Sequence, residues 1–321
     1  MSRTERSTRT KSRTRIMGAL VALSLAAVMA TGCQVQPEPT APEPAPAATE
    51  QFPVTITDDA GRSVEIAARP ERIVSLAPAN TEILFALGAG DRVVGVTSFD
   101  DYPAEVVNIA KVGDFTGPNL EAVAAANPDL VLVTGGVQAD VITKLEQLGA
   151  TVLSVDPQTL AGLYEDISEV GLAIGASEAS AAVIEQMQSE VAKISDAVAS
   201  KEPVTAFVEI AQNPLYTVGS ATLMDEMVSL AGGKNVVTEA GYVPYSTEQL
   251  VKADPQVYLA TLGSMSDPSA LRERAGFESL QAVKNERVYV LDDNLVSRPG
   301  PRVVEGIRQI AEALHPDAFG K

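Results

Sequence analysis

The sequence predicts an α/β protein of two lobes with parallel-type sheets, joined by a long rigid helical segment. Three observations predict it. Buried-strand runs alternate with helical stretches over short loops, the pattern of a parallel sheet with crossover helices. The second half of the chain repeats landmarks of the first in the same order. Between the halves, apolar residues recur at helical spacing. The lobes fall at residues 52–158 and 202–321, with the joining helix at 159–201.

Taken in order, VTIT at 54–57, DDAG at 58–61 and SVEI at 63–66 read as a β-hairpin by alternation and turn residues. RIVSL at 72–76 is a buried-strand run, and a helix starts at Pro78 and stops at Gly88. VVGV at 93–96 is a further strand. A helix at 120–126 leads into Pro128-Asp129 and a strand at 130–134. After Gly135-Gly136 a helix reaches Leu148, Gly149 closes it, and a strand follows at 151–155.

The second half repeats the plan. LGAGDRVV at 87–94 can be laid on LAGGKNVV at 230–237, an offset of 143. Glu121 stands seven residues before PDLVL at 128–132, and Glu248 stands seven before PQVYL at 255–259. In both places a polar residue caps a helix that runs into a proline-started strand. Two matches in order point to a duplicated lobe, with chance recurrence of Gly, Val and Pro as the alternative. Between the halves, Leu160, Leu163, Ile167, Val170 and Ile174 are spaced 3-4-3-4. Beyond Gly175, Ile184, Met187, Val191, Ile194 and Val198 resume that spacing. This second run, about 22 residues, is on the order of 33 Å long. It reads as a core-facing stripe, so Met187 is packing and not a ligand. Lobes joined this way move less than lobes joined by flexible strands.

Composition removes several functions. The 321 residues are 45% hydrophobic, enough for one or two sizeable cores, and carry a formal net charge of −18. A nucleic-acid binder needs a basic face, and no basic cluster occurs beyond the first fifteen residues. One cysteine, Cys33, excludes a disulfide framework, and one histidine, His315, excludes a multi-His metal site. His315, before Pro316, reads as a helix-end cation.

The N-terminus reads as a targeting segment at 1–32. Arg3, Arg6, Arg9, Lys11, Arg13 and Arg15 precede an apolar run over 17–30, too short to span a bilayer but suited to a signal-peptide core. ATGC at 30–33 resembles a bacterial lipoprotein cleavage box, which makes Cys33 the lipidated mature N-terminus; an ordinary secretory signal with an incidental cysteine is the alternative. Cleavage leaves 18 basic against 41 acidic residues, a net charge of −23. Residues 33–51, with Pro37, Pro39, Pro42, Pro44 and Pro46 among Ala, Glu and Thr, read as an extended tether lifting a domain off a membrane surface.

From about residue 54 the chain resembles the cobalamin- and iron-complex-binding proteins of ATP-binding-cassette (ABC) importers. The resemblance rests on IVSLAPANTE at 73–82, GVTSFDDYP at 95–103, NLE at 119–121 with PDLV at 128–131, and RPGPR at 298–302. The first lobe is most similar to the cobalamin-binding members. The resemblance implies a class III substrate-binding fold that needs no cofactor of its own and works as a monomer. It implies a metal-chelate ligand, cobalamin first and a ferric siderophore or haem second, handed to a permease dimer with its ATPase subunits. It also implies anchorage on the outer face of the cytoplasmic membrane. In that family two glutamates, one per lobe, dock onto permease arginines, and the matching positions are Glu121 and Glu248. The bland reading of each is an acid in a helical first turn, favourable by about 0.3–1 kcal/mol, which does not explain equivalent placement in two lobes.

An interlobe cleft outside the carboxyl ends of the strands is the expected ligand site. Five of the fourteen aromatics fall in three loops there: Phe99 and Tyr102, Phe115, and Tyr242 and Tyr245. Flat rings suit a macrocycle, although packing explains such residues too. Phe99, Phe115 and Tyr242 match family positions bearing ligand-contacting aromatics, two of them Trp in cobalamin binders. Tyr102 reads equally as a loop anchor. Arg298 suits a ligand carboxylate, and Arg302 reads as structural. No Gly-x-Ser-x-Gly elbow, Gly-x-Gly-x-x-Gly or phosphate-loop pattern occurs, and Asp100-Asp101 and Asp292-Asp293 read as solvated turns. The chain therefore reads as no enzyme; a glycosidase with two distant carboxylates and a tethered ligand sensor are the other classes weighed.

Overall fold

The hairpin forms as its alternation requires. In a computed structural model that describes residues 51–264 and 268–320, β1 (Val54–Thr57) and β2 (Ser63–Ile66) pair antiparallel, Val54 opposite Ile66. Their Ile56, Val64 and Ile66 face inward and are buried. The turn closes because Asp58 accepts the Arg62 backbone N–H at 2.9 Å and Gly61 adopts φ 72°, a left-handed conformation open to glycine. The expected signal peptide at 1–32, Cys33 and nearly all of the expected tether at 33–51 lie outside the described residues.

The first lobe follows as β3 (Ile73–Ser75), α1 (Pro78–Ala86), β4 (Val93–Gly95), α2 (Leu120–Ala125), β5 (Leu130–Val133), α3 (Ala139–Gln147) and β6 (Val152–Ser154). Its four strands are parallel in the order β4-β3-β5-β6. The joining segment, expected as a single helix over 159–201, is two: α4 (Leu160–Ile174) and α5 (Ser177–Val198). Gly175 at φ 70° ends α4 in a left-handed cap, which an unbroken helix would not allow. The helices pack closely at Gly171, where a Cβ would stand 2.4 Å from the Ser180 hydroxyl.

The second lobe comprises β7 (Val204–Ala211), β8 (Tyr216–Val218), α6 (Leu223–Leu230), β9 (Gly233–Asn235), β10 (Tyr242–Pro244), α7 (Thr247–Ala253), β11 (Val257–Thr261), α8 (Gln281–Lys284), β12 (Val288–Leu291), α9 (Asp293–Val296) and α10 (Val303–Leu314). Its parallel centre repeats the first lobe. β7 lies between β11 and β9 as β3 lies between β5 and β4. β8 and β10 add an antiparallel edge that the sequence reading does not foresee, since three-residue strands carry little alternation. The two landmark helices match closely. Asn119 caps α2 and Ser246 caps α7, and each helix is followed by a left-handed residue, Asn127 or Asp254, before the proline.

Alternate residues of the central strands serve two cores. Ile73, Leu130, Leu132, Ala206, Val208, Val257 and Leu259 belong to one cluster that also takes in Leu163, Ile167, Met187 and Ile194 of α4 and α5, and so runs through both lobes. The opposite faces form two outer clusters, Val74, Val131 and Val133 in the first lobe and Phe207, Tyr258 and Ala260 in the second. A core shared across the joining helices resists hinge motion, because opening it would expose close-packed apolar surface.

Candidate functional site

The carboxyl ends of strands from both sheets face one cleft of about 680 Å³. Its first-lobe wall is the start of α1 (Ala77 to Asn80), Phe99, Phe115, Thr134 and Asp156; its second-lobe wall is Ile210, Leu223, Met224, Tyr242 and the 296–299 loop. Phe99 and Tyr242 stand 58% and 54% exposed, an unusual state for rings with no partner to cover them. Tyr242 is set on β10, opposite Val218. Phe115 sits on a loop fixed from below. The Asp114 carboxylate accepts the Thr116 and Gly117 backbone N–H groups at 2.9 and 2.6 Å. Buried Gln138 donates to the carbonyls of Phe115 and Leu76, both at 2.7 Å, and accepts the Thr134 N–H at 2.9 Å. Sequence reasoning missed Gln138, whose partners are 23 and 62 residues away.

Three of the predicted contacts have other duties. Tyr245 does not line the cleft: its ring packs at 5.4 Å from Phe207 against the outer core of the second lobe. Tyr102 does not line it either, and lies beneath the Arg302 guanidinium at 3.9 Å, a loop anchor held by cation–π attraction. Arg298 reaches the cleft, but both its terminal nitrogens are engaged. One donates to Asp101 at 2.6 Å and Glu82 at 3.2 Å, the other to the Phe99 carbonyl at 3.2 Å. Buried Glu82 on α1 also takes Arg302 through both oxygens, at 2.9 and 2.6 Å. The hydrogen bonds that Arg302 donates to Glu82 push its pKa up. Two carboxylates thus face two guanidiniums across the lobes, and Arg302 is structural as its loop position indicated.

The opposite wall carries one carboxylate, Asp156. Burial, then the neighbouring Asp59 carboxylate, pushes Asp156 up. Behind it Asp166 on α4, 4% exposed, is pushed up to about 8 by burial and by Asp59, Glu169 and Asp156. The folded protein therefore holds a proton that the unfolded chain releases above about pH 4, so stability falls as pH rises from there towards 8. Asp166→Asn, which mimics the protonated side chain, is expected to raise Tm at pH 8 by at least about 2–4 °C. The gain should vanish at pH 4, and a difference independent of pH in thermal melts would refute it.

Glu121 and Glu248 are both exposed and both occupy the second position of their helices, α2 and α7. His315 caps α10, its ring nitrogen 3.0 Å from the Gly232 carbonyl. Among the described residues no His, Cys, Asp and Glu group could hold a metal ion, and no helix is long and apolar enough to cross a membrane.

This geometry can be compared with known proteins. The family model described as periplasmic binding protein matches residues 73–295. An uncharacterized ABC transporter substrate-binding lipoprotein of Bacillus subtilis is 40% identical, with 94% of this chain and 98% of the relative covered. A cobalamin-binding protein of Halobacterium salinarum is 30% identical over 92% of this chain and 84% of its own. The structure of a periplasmic haem-binding protein from Roseiflexus superposes with a TM-score of 0.71 at 27% identity, covering 77% of this chain and 99% of that one. The chain belongs to the periplasmic binding protein family, as a non-enzymatic ABC transporter substrate-binding protein of the vitamin B12 and iron-complex class.

Proposed function

We propose that the protein captures cobalamin in the interlobe cleft and delivers it to an ABC permease, docking through Glu121 and Glu248 and tethered outside the cytoplasmic membrane by lipidated Cys33. The observation that carries the ligand choice is the cleft itself. Phe99, Phe115 and Tyr242 offer flat apolar area from two loops and an edge strand, while the cations beside them, Arg298 and Arg302, are already paired with Glu82 and Asp101. Haem brings two carboxylates, which call for free cations. Arg298 is the one cation lining the cleft among the described residues, and it is paired twice. A corrinoid, ringed with neutral amides, makes no such demand. The cobalamin-binding relative supports the same choice. The likeness to a haem-binding protein supports a second reading, a haem or ferric siderophore carrier.

Equilibrium dialysis against cyanocobalamin, a ferric hydroxamate and haem tests this. Retention of cyanocobalamin at sub-micromolar concentration is expected, weakened by at least about 100-fold when Phe115 and Tyr242 both become Ala, since each buried ring contributes about 1.5–3 kcal/mol. Retention of an iron chelate alone would keep the cleft and overturn the ligand.

A further inference from the structure

We infer that Asp156 is a specificity-determining residue of the cleft. Its carboxylate accepts a hydrogen bond from a propionamide of the corrin rim and turns away ligands that carry a carboxylate there. The inference rests on the corrinoid reading above and names what the first-lobe wall selects within that class.

Among the described residues, two charged side chains line the cleft, Arg298 and Asp156. Arg298 is paired with Glu82 and Asp101. Asp156 has no counter-charge, and no donor of the described residues reaches its carboxylate; its one charged neighbour is another acid, Asp59. The residue is half-buried and its oxygens keep access to solvent, unlike the sealed, unpartnered oxygen of Asp166 behind it. The cleft wall therefore holds a single uncompensated charge, and that charge is negative.

Its position is built from several sides. Asp156 follows the carboxyl end of β6, where Asp59 of the hairpin turn accepts its backbone N–H. The hairpin is itself tied to β6, since Asp58 accepts the Ser154 N–H at 3.0 Å. Gln158 donates its amide N–H to the Asp156 carbonyl at 2.9 Å and so leaves the carboxylate alone. Gly135 gives the carboxylate room: a Cβ there would stand 2.8 Å from Oδ2.

An ionised carboxylate only accepts hydrogen bonds. A half-buried one is poorly solvated, so a second anion beside it is disfavoured more than in water. A primary amide brings two N–H donors and no charge, and hydrogen bonds to a charged acceptor are among the stronger ones. In a corrinoid the groups of this chemistry are the amides of the rim, and the propionamides, longer than the acetamides, reach farthest from the ring. Haem presents carboxylates instead, so the same residue counts against haem.

The test compares cyanocobalamin with its b-, d- and e-monocarboxylic acids, in each of which one rim propionamide is hydrolysed. Equilibrium dialysis uses the full-length chain and Asp156→Asn at about pH 7, where the added carboxylate is ionised. Asp156→Asn removes one charge from a group of acids that repel each other, so the variant keeps its fold; thermal melts of the ligand-free protein check this. The parent should bind one of the acids at least about tenfold more weakly than cyanocobalamin. Asp156→Asn should bring that acid within about threefold of cyanocobalamin, because the asparagine amide donates to it. A role in folding alone would weaken every ligand together and leave the gap. A parent that binds all three acids as tightly as cyanocobalamin, or a gap that Asp156→Asn leaves unchanged, overturns the inference and leaves the corrinoid reading intact. Failure of the parent to bind cyanocobalamin overturns both together.

Discussion

Glu82→Gln is expected to cost roughly 3–5 kcal/mol of stability, a fall in Tm on the order of 10 °C. The carboxylate is 3% exposed and receives three hydrogen bonds from two guanidiniums. Removing its charge leaves Arg302 with no salt-bridge partner among the described residues and Arg298 with Asp101 alone, both in a partly buried site. The damage should reach the ligand, because Arg298 also holds the Phe99 carbonyl. A looser Phe99 loop means weaker cyanocobalamin binding even where the variant is fully folded. Glu82→Leu combined with Arg302→Leu should recover much of the lost stability, since a buried pair removed whole leaves no stranded charge. Calorimetric melts decide the matter. A Glu82→Gln variant that melts within about 2 °C of the parent would show that water, and not protein, satisfies these groups.

That pair also shows where the sequence is legible and where it is not. Periodicity is local, so α1, α5, the hairpin and the strands at 73–75 and 130–133 could be read from it. The duplicated landmarks could be read too, because capping by Asn119 and Ser246 and the prolines after Asn127 and Asp254 act within one turn of chain. Glu82 lies inside a run singled out for its resemblance, yet its partners are 216 and 220 residues away. Glu209 is the same case in the second lobe: it is wholly buried on β7, with Arg274 65 residues away and Tyr258 49 away. No spacing rule reports such pairings. The cleft shows the same division. Phe99 and Phe115 stand on loops and Tyr242 on the edge strand β10, but Tyr245, three residues beyond Tyr242 and just past that strand, turns into the core. Around a short edge strand, aromatics three residues apart serve opposite faces, and composition cannot say which faces the ligand.

Reversing the charges of Glu121 and Glu248 together, each to Arg, is expected to abolish uptake while ligand affinity stays within about twofold. Both side chains are exposed and lie outside the cleft wall, and each sits in a first turn whose capping does not use it. Loss of the favourable dipole contact costs only about 0.3–1 kcal/mol per site, so the variant should fold and bind. Against a permease surface that presents cations, however, each reversal turns an attraction into a repulsion worth several kcal/mol. The two sites add because the lobes move as one body on their shared core, and a rigid two-point contact loses orientation as well as affinity when one point fails. Either single reversal should therefore lower uptake strongly, and the double reversal should bring it to the level of a strain without the protein. Two measurements on the same preparations settle it: radiolabelled cobalamin uptake by cells expressing each variant, and dialysis with the purified protein. Parallel loss of uptake and affinity would return both glutamates to a role in folding. Normal uptake by the double variant would remove them from the docking surface.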